Sequence, residues 1–94
     1  LQAAGLAASN ALAPGRALAC FRAAWTMAQQ VHGLPIPALL ALRFNLHLSE
    51  AQCGLRAEAR DGLQRLLTDQ LSVYGDGHAR CLDARLVLAR VELE

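Results

Sequence analysis

The sequence predicts an all-α fold, arranged as an array of antiparallel helical hairpins, and three observations lead to this prediction. The first is composition, since 54% of the 94 residues are hydrophobic, only 4% are aromatic, and alanine and leucine dominate. Both favour helices, because alanine loses no side-chain entropy in a helix and leucine loses little. Isoleucine occurs once, so little is available for a β-sheet. The second observation is an internal repeat, and the third is a set of helix-length segments separated by glycine and proline.

The internal repeat relates residues 31–50 to residues 73–92, which lie 42 positions later. The coincidences are Val31 with Val73, Gly33 with Gly75, Leu40 with Leu82, Arg43 with Arg85, Phe44 with Leu86, Leu46 with Leu88 and Glu50 with Glu92. A period in the forties is typical of helical repeat proteins. Because the chain also begins at a leucine and stops within an apolar pattern, we expect residues 1–94 to be a fragment of a longer repeat domain. The repeat breaks are predicted near 33–37 and 75–77.

Apolar residues spaced three and four apart define the individual helices. They predict the end of a helix over 1–10 and four full helices over 14–32, 38–52, 56–74 and 79–93. Pro14 suits a first helical position, where its missing N–H is not needed. Gly33 and the following prolines stop the first full helix, 53–55 form a turn, and the segment 75–77 breaks the chain before the last helix. Asp76 is the expected N-cap of that helix.

The apolar positions also predict how the helices pack. On the helix over 14–32, the large aromatics Phe21 and Trp25 are expected to anchor the core. The helix over 38–52 is apolar on several sides, which is typical of a helix buried between neighbours. The last helix resembles it and leaves an apolar face at Leu82, Leu86, Val87 and Leu93. We expect the next repeat or a cap to cover this face.

Small and large residues alternate in a way that resembles the tetratricopeptide repeat. Gly5 stands at the small position of a first helix, Ala17 and Ala59 at the small position of second helices, and Phe21 and Leu63 at the adjoining bulky position. His47 and Ala89 share the position of Gly5. A histidine there is bulky, which departs from the repeat's pattern.

Residues 17–93 further resemble the C-terminal repeats of subunit five of the anaphase-promoting complex. The likeness is carried by Phe44-Asn45-Leu46, Glu50-Ala51-Gln52, Glu58-Ala59, Leu63 with Leu66-Leu67, Gly75-Asp76-Gly77 and the run from Ala79 to Ala89. That family is a tetratricopeptide scaffold of a large ubiquitin ligase. The resemblance implies a non-catalytic structural subunit in cell-cycle control, located in nucleus and cytoplasm. Its partners would be other protein subunits and neighbouring repeats of the same longer chain.

Charge and cysteine content argue against nucleic-acid binding, membrane association and a disulfide-linked fold. Nine arginines face eight acidic residues, interspersed, for a net charge of +1, which leaves no basic patch for nucleic acid or an anionic membrane. No apolar run reaches the ~20 residues that cross a bilayer. Three cysteines, an odd number on predicted helices, favour a reducing intracellular compartment over a disulfide framework.

Metal, cofactor and catalytic sites are not expected. His78 and Cys81 lie one helical turn apart, but a structural zinc site needs four ligands, often in close pairs, and no C-x-x-C occurs. No cysteine stands beside a glycine loop of the kind that stabilises an oxyanion. We therefore expect no enzyme activity, cofactor or metal.

Arg43 and Arg85 are the most informative polar pair, because the repeat aligns them on the first helices of two hairpins. Such helices line the concave surface of tetratricopeptide arrays, where an arginine ladder could grip an acidic segment or terminal carboxylate of a partner. Asn45 occupies a position at which peptide-clamping repeats often carry asparagine, although its equivalent is Val87. The alternative for both arginines is solvent exposure or pairing with neighbouring acids.

The sequence thus favours a scaffold for protein–protein interaction within a ubiquitin-ligase assembly. The alternative is a ligand-sensing helical repeat domain of a signalling or transcription regulator. An attached nucleotide-binding or helix-turn-helix segment would favour the regulator, and further repeats would favour the scaffold.

Overall fold

A computed structural model describes residues 14–93, and over this range the protein is all-α, with no strand. Its helices are α1 (Pro14–Gln30), α2 (Ile36–Gln52), α3 (Arg56–Tyr74) and α4 (Ala79–Leu93). The helix end predicted over 1–10 lies outside the described residues, as does the small position at Gly5. None of the four helices is both long and apolar enough to cross a membrane.

The turn between α1 and α2 differs from the prediction by two residues on each side. α1 ends at Gln30 rather than at 32, because Val31 donates its N–H to Ala28 in a tighter last turn and Gly33 adopts a φ of +84°. α2 starts at Ile36 rather than at 38 and holds Pro37 within its first turn. A proline fits there, because the first N–H groups of a helix have no intrahelical acceptor.

The turn between α2 and α3 is a Schellman motif at the predicted position. Gly54 has a φ of +82° and donates its N–H to Ala51, while Leu55 donates to Glu50 at 2.9 Å. These two bonds satisfy carbonyls that the end of α2 leaves free. Gly54 supplies the left-handed conformation that the motif requires, so α3 can start only a few residues after α2 ends.

α3 and α4 begin and end as predicted, but the cap between them differs. Gly75 ends α3 with a φ of +86° and donates its N–H to Leu71. The N-terminus of α4 is capped by His78, whose Nδ1 accepts a hydrogen bond from the Arg80 N–H at 3.1 Å. The prediction of Asp76 as N-cap is wrong, because His78 is the residue directly before the first helical position.

Each described helix packs on its neighbours in sequence. α1 contacts α2, α2 contacts α3 and α3 contacts α4, and α2 also touches α4. Within residues 14–93, no Cα atom of α1 lies within 8 Å of a Cα atom in α3 or α4. The core lies between α2, α3 and α4 and contains Leu40, Ala59, Leu63, Leu66 and Val91. Phe44, Ala51, Tyr74, Val87 and Leu88 pack against it.

Two packing predictions need correction. Phe21 and Trp25 are only half-buried, and the buried residues of α1 are Ala17 and Leu18. Val87 is half-buried against the core rather than part of the exposed apolar face of α4. It lines a cavity together with Leu48 and Ala51, so it lies on the side of α4 that meets α2.

Candidate partner-binding surfaces

Arg43 projects from α2 and is held by α3. Its Nη1 donates to Oδ2 of Asp69 at 2.5 Å, and its side chain is 18% exposed. The guanidinium is therefore engaged by an acid of the same chain, which is the alternative that the sequence left open. Arg43 as a residue that binds a partner remains a prediction.

A groove follows α2 between α1 and α3, and Arg43 lies within it. Its volume is about 290 Å³, and its lining consists of Trp25, Ile36, Leu39, Leu40, Arg43, Asp69, Ser72 and Val73. A second cavity of about 260 Å³ shares two of these residues and is lined by Trp25, Arg43, Leu46, His47 and Arg65. We call the larger cavity the α2 groove. Its walls are mostly apolar, with one ion pair, and Trp25, the chain's single tryptophan, forms part of them.

Arg85 and Asn45 are both exposed. Arg85 donates through Nη2 to Oδ1 of Asp76 at 3.0 Å, across the turn that precedes α4. Asn45 lies two residues from Arg43, which places it about 200° around α2 and outside the α2 groove. Arg43 and Asn45, which were predicted separately as partner-binding residues, therefore do not lie on one surface of α2.

The outer side of α4 is an exposed apolar stripe. Leu82 is 47%, Leu86 65% and Leu93 86% exposed, and the exposed Ala89 lies between the last two. Spacings of four, three and four residues put these side chains on one helix face. The opposite face of α4 carries the buried Cys81, Ala84 and Val91. We call residues 82, 86, 89 and 93 the outer stripe of α4.

His47 forms a packed contact that sequence reasoning only partly anticipated. Its ring lies directly over Gly62 of α3, where an added Cβ would overlap the ring atoms. Its Nδ1–H donates to Oε1 of Glu50 at 2.8 Å, and both side chains are largely buried. A glycine inside a helical pattern was the available signal, since such a glycine usually has a packing reason.

His78 and Cys81 have separate structural roles. The His78 ring stacks on Tyr74 with ring centres 4.3 Å apart, while its Nδ1 caps α4. The buried Cys81 directs its thiol toward the Gly75 carbonyl at 3.6 Å. Within the described range, no three His, Cys, Asp or Glu side chains come together in a way that could hold a metal.

Arg56 closes the other end of the α3–α4 pair, which the sequence did not reveal. Its Nη2 donates to the Val91 carbonyl at 3.3 Å. That carbonyl lies in the last turn of α4, where carbonyls have no intrahelical donor. Arg56 therefore caps the C-terminus of α4 from the first residue of α3.

Comparison of this chain with family models, with curated proteins and with solved structures gives no match. The likeness to tetratricopeptide proteins, and to subunit five of the anaphase-promoting complex, rests on the sequence pattern alone.

Proposed function

We propose that this chain is a non-catalytic protein–protein interaction module built from stacked helical hairpins of the tetratricopeptide type. The order of helix contacts supports this proposal. Each described helix packs on its sequence neighbours, and no Cα atom of α1 lies within 8 Å of one in α3 or α4. In a closed four-helix bundle the first helix also packs against the last, whereas in a repeat stack each unit contacts only its neighbours.

The observation that carries the proposal is that α4 has two apolar faces. One face packs on α3, and the outer stripe of α4 is exposed. A contiguous exposed row of leucines marks a surface that contacts another protein segment. A helix with this pattern belongs between two neighbours rather than at a surface.

The non-catalytic part of the proposal is supported by how reactive side chains are used. His47 packs on Gly62, His78 caps α4, and the Cys81 thiol is buried beside a carbonyl. Each of these groups stabilises the fold, and none faces the α2 groove together with a second reactive group. The mechanism we propose is geometric: a rigid stack presents surfaces that position other subunits.

The finer proposal follows from the sequence resemblance. We propose a scaffold subunit of the anaphase-promoting complex, acting in nucleus and cytoplasm, with other subunits of that assembly and neighbouring repeats of the same chain as partners. Its support is the run of sequence motifs from Phe44 to Ala89 within residues 17–93. Affinity purification of the tagged full-length protein, followed by chemical cross-linking, tests it. Stoichiometric ubiquitin-ligase subunits cross-linked to residues 14–93 are expected, and a protein that purifies alone contradicts the proposal.

A test of the proposed arginine ladder requires a variant that keeps the ion pair between positions 43 and 69. Exchanging the partners, as Arg43→Asp with Asp69→Arg, retains an ion pair between α2 and α3 and removes the cation from position 43. If Arg43 grips a partner, this double variant melts like the wild type but captures less of that partner. Capture at the wild-type level would show that the arginine serves the hairpin only.

A second candidate is a ligand-sensing helical repeat domain of a signalling or transcription regulator, and the α2 groove favours it. A mostly apolar groove of about 290 Å³ approaches the lower end of the range for small-molecule sites. Because Trp25 lines the groove, its fluorescence reports binding. Saturable changes on titration with an amphipathic carboxylate would support this function. An unchanged spectrum, with unchanged melting, would leave the scaffold as the better account.

A further inference from the structure

We propose that the outer stripe of α4 is the docking face for one kind of helix, supplied by the next repeat of the stack. This helix runs antiparallel to α4, carries the side-chain pattern of α3, and brings an acid that pairs with Arg85. The inference rests on the proposed stack and deepens it, because it states the chemistry of the segment that α4 receives.

The 42-residue register identifies what each residue of the outer stripe does in α2. Subtracting 42 from positions 82, 86, 89 and 93 gives Leu40, Phe44, His47 and Ala51. In α2 all four are used for packing. Leu40 belongs to the core that contains Leu63 and Leu66 of α3, Phe44 and Ala51 pack against that core, and His47 covers Gly62. The face of α2 through which Leu40 and His47 meet α3 therefore corresponds, by the 42-residue register, to the face that remains exposed on α4.

The aligned arginines add a polar requirement. Arg43 is paired with Asp69 on the covering helix α3, whereas Arg85 is paired with Asp76, an 80% exposed residue in the preceding turn. The repeat thus places Arg85 where it can take an acid from a covering helix. That acid would occupy the fourteenth position of the helix, as Asp69 does in α3.

One difference between the repeats relaxes the steric requirement. α2 carries His47, and the ring leaves no space for a Cβ at Gly62. α4 carries Ala89 at the equivalent position. A helix that docks on α4 therefore does not need a glycine there and accepts an alanine.

These requirements define the partner helix. It has a small residue at its fourth position, leucine-sized residues at the eighth and eleventh, and an acid at the fourteenth, matching Ala59, Leu63, Leu66 and Asp69 of α3.

The test uses the chain's own α3 as the probe. A copy of residues 53–75 is added directly after Glu94, which preserves the 42-residue register and supplies the Schellman turn. The docked helix is expected to slow amide hydrogen exchange throughout the added segment. It is also expected to raise the thermal midpoint by roughly 5 °C or more. Sedimentation should show a monomer both with and without the addition.

Three groups of variants make the result specific to this face. Leu86→Asp should abolish both effects, because it places a charge under the added helix. Arg85→Glu should weaken docking, and reversing the copied acid to arginine should restore it. When the copy of Gly62 in the added helix is changed to alanine, that helix should still dock on a chain with Ala89. It should fail to dock on the Ala89→His variant.

Several results would overturn the inference. One is an added segment whose amide hydrogens exchange as fast as those of an unfolded peptide. Another is docking that persists in the Leu86→Asp variant. A dimer of the unextended chain that Leu86→Asp dissociates would mean that a second copy occupies the stripe. These outcomes can be told apart from failure of the proposed function. If no helix docks on α4 but the chain still captures partner subunits, the inference fails and the proposed function stands. If a helix docks but no partner subunit is captured, the inference stands and the proposed function fails.

Discussion

At the scale of single residues, the contact between His47 and Gly62 shows how two helices adapt to one another. A histidine on α2 is accommodated because α3 has no side chain at the facing position. The ring is then held by Glu50, one turn further along α2. Sequence reasoning noticed that a histidine is bulky at this position but could not identify the glycine that receives it. That pairing depends on the register between α2 and α3, which no local pattern contains.

Gly62→Ala should therefore destabilise the protein, although alanine favours a helix over glycine by ~1 kcal/mol. The added methyl group overlaps the His47 ring, and such overpacking typically costs about 1–3 kcal/mol. Urea unfolding measures the change. Gly15→Ala is the matched control, since a Cβ there meets no atom within 4 Å among the described residues. The variant His47→Ala with Gly62→Ala should recover stability relative to His47→Ala alone. Equal stabilities of Gly62→Ala and Gly15→Ala would contradict the contact.

Gln70 is a second residue with a defined energetic consequence. It is 1% exposed, and its Oε1 has no hydrogen-bond partner among the described residues. A buried acceptor without a donor costs about 1–3 kcal/mol. Gln70→Met keeps the side-chain length and removes the polar atoms, so we expect the free energy of unfolding to rise by ~1 kcal/mol. The same change at the exposed Gln64 should have little effect, and a loss of stability in Gln70→Met would indicate that the amide is bonded.

At the scale of helices, the accuracy of prediction followed the turn chemistry. α3 and α4 are bounded by glycines and a capping residue, and their predicted ends were confirmed. The end of α1 and the start of α2 were each displaced by two residues, since Val31 closes a tighter turn by bonding to Ala28 and Pro37 is tolerated inside a first turn. The Arg43–Asp69 ion pair and the α2 groove were not predictable, because each joins residues from different helices.

The cap of α4 gives a prediction at this scale. His78→Ala removes the acceptor for the Arg80 N–H and should reduce stability by ~1 kcal/mol, as loss of an N-cap usually does. His78→Asn should restore most of it, because asparagine is a favourable N-cap. Thermal melting monitored by circular dichroism provides the measurement. Asp76→Ala removes only an exposed ion pair and should change the stability little. A larger loss of stability in Asp76→Ala than in His78→Ala would indicate that Asp76 is the N-cap of α4.

At the scale of the whole molecule, the account depends on which leucines hold neighbouring helices together. Leu63 is fully buried in the core between α2, α3 and α4. Leu86 belongs to the same residue type on the next helix but lies on the outer stripe of α4. If the chain is a stack with an open end face, the first leucine is essential for folding and the second is available for a neighbour. An enclosed bundle would require both to be buried.

The most direct measurement compares thermal unfolding of Leu63→Asp and Leu86→Asp under identical conditions. The account predicts that Leu63→Asp loses the cooperative transition, because a charge is forced into the core. Leu86→Asp should melt within about 3 °C of the wild type, as expected for a substitution on an exposed surface. Loss of folding in both variants would mean that the outer stripe of α4 is already buried, and it would contradict the open stack.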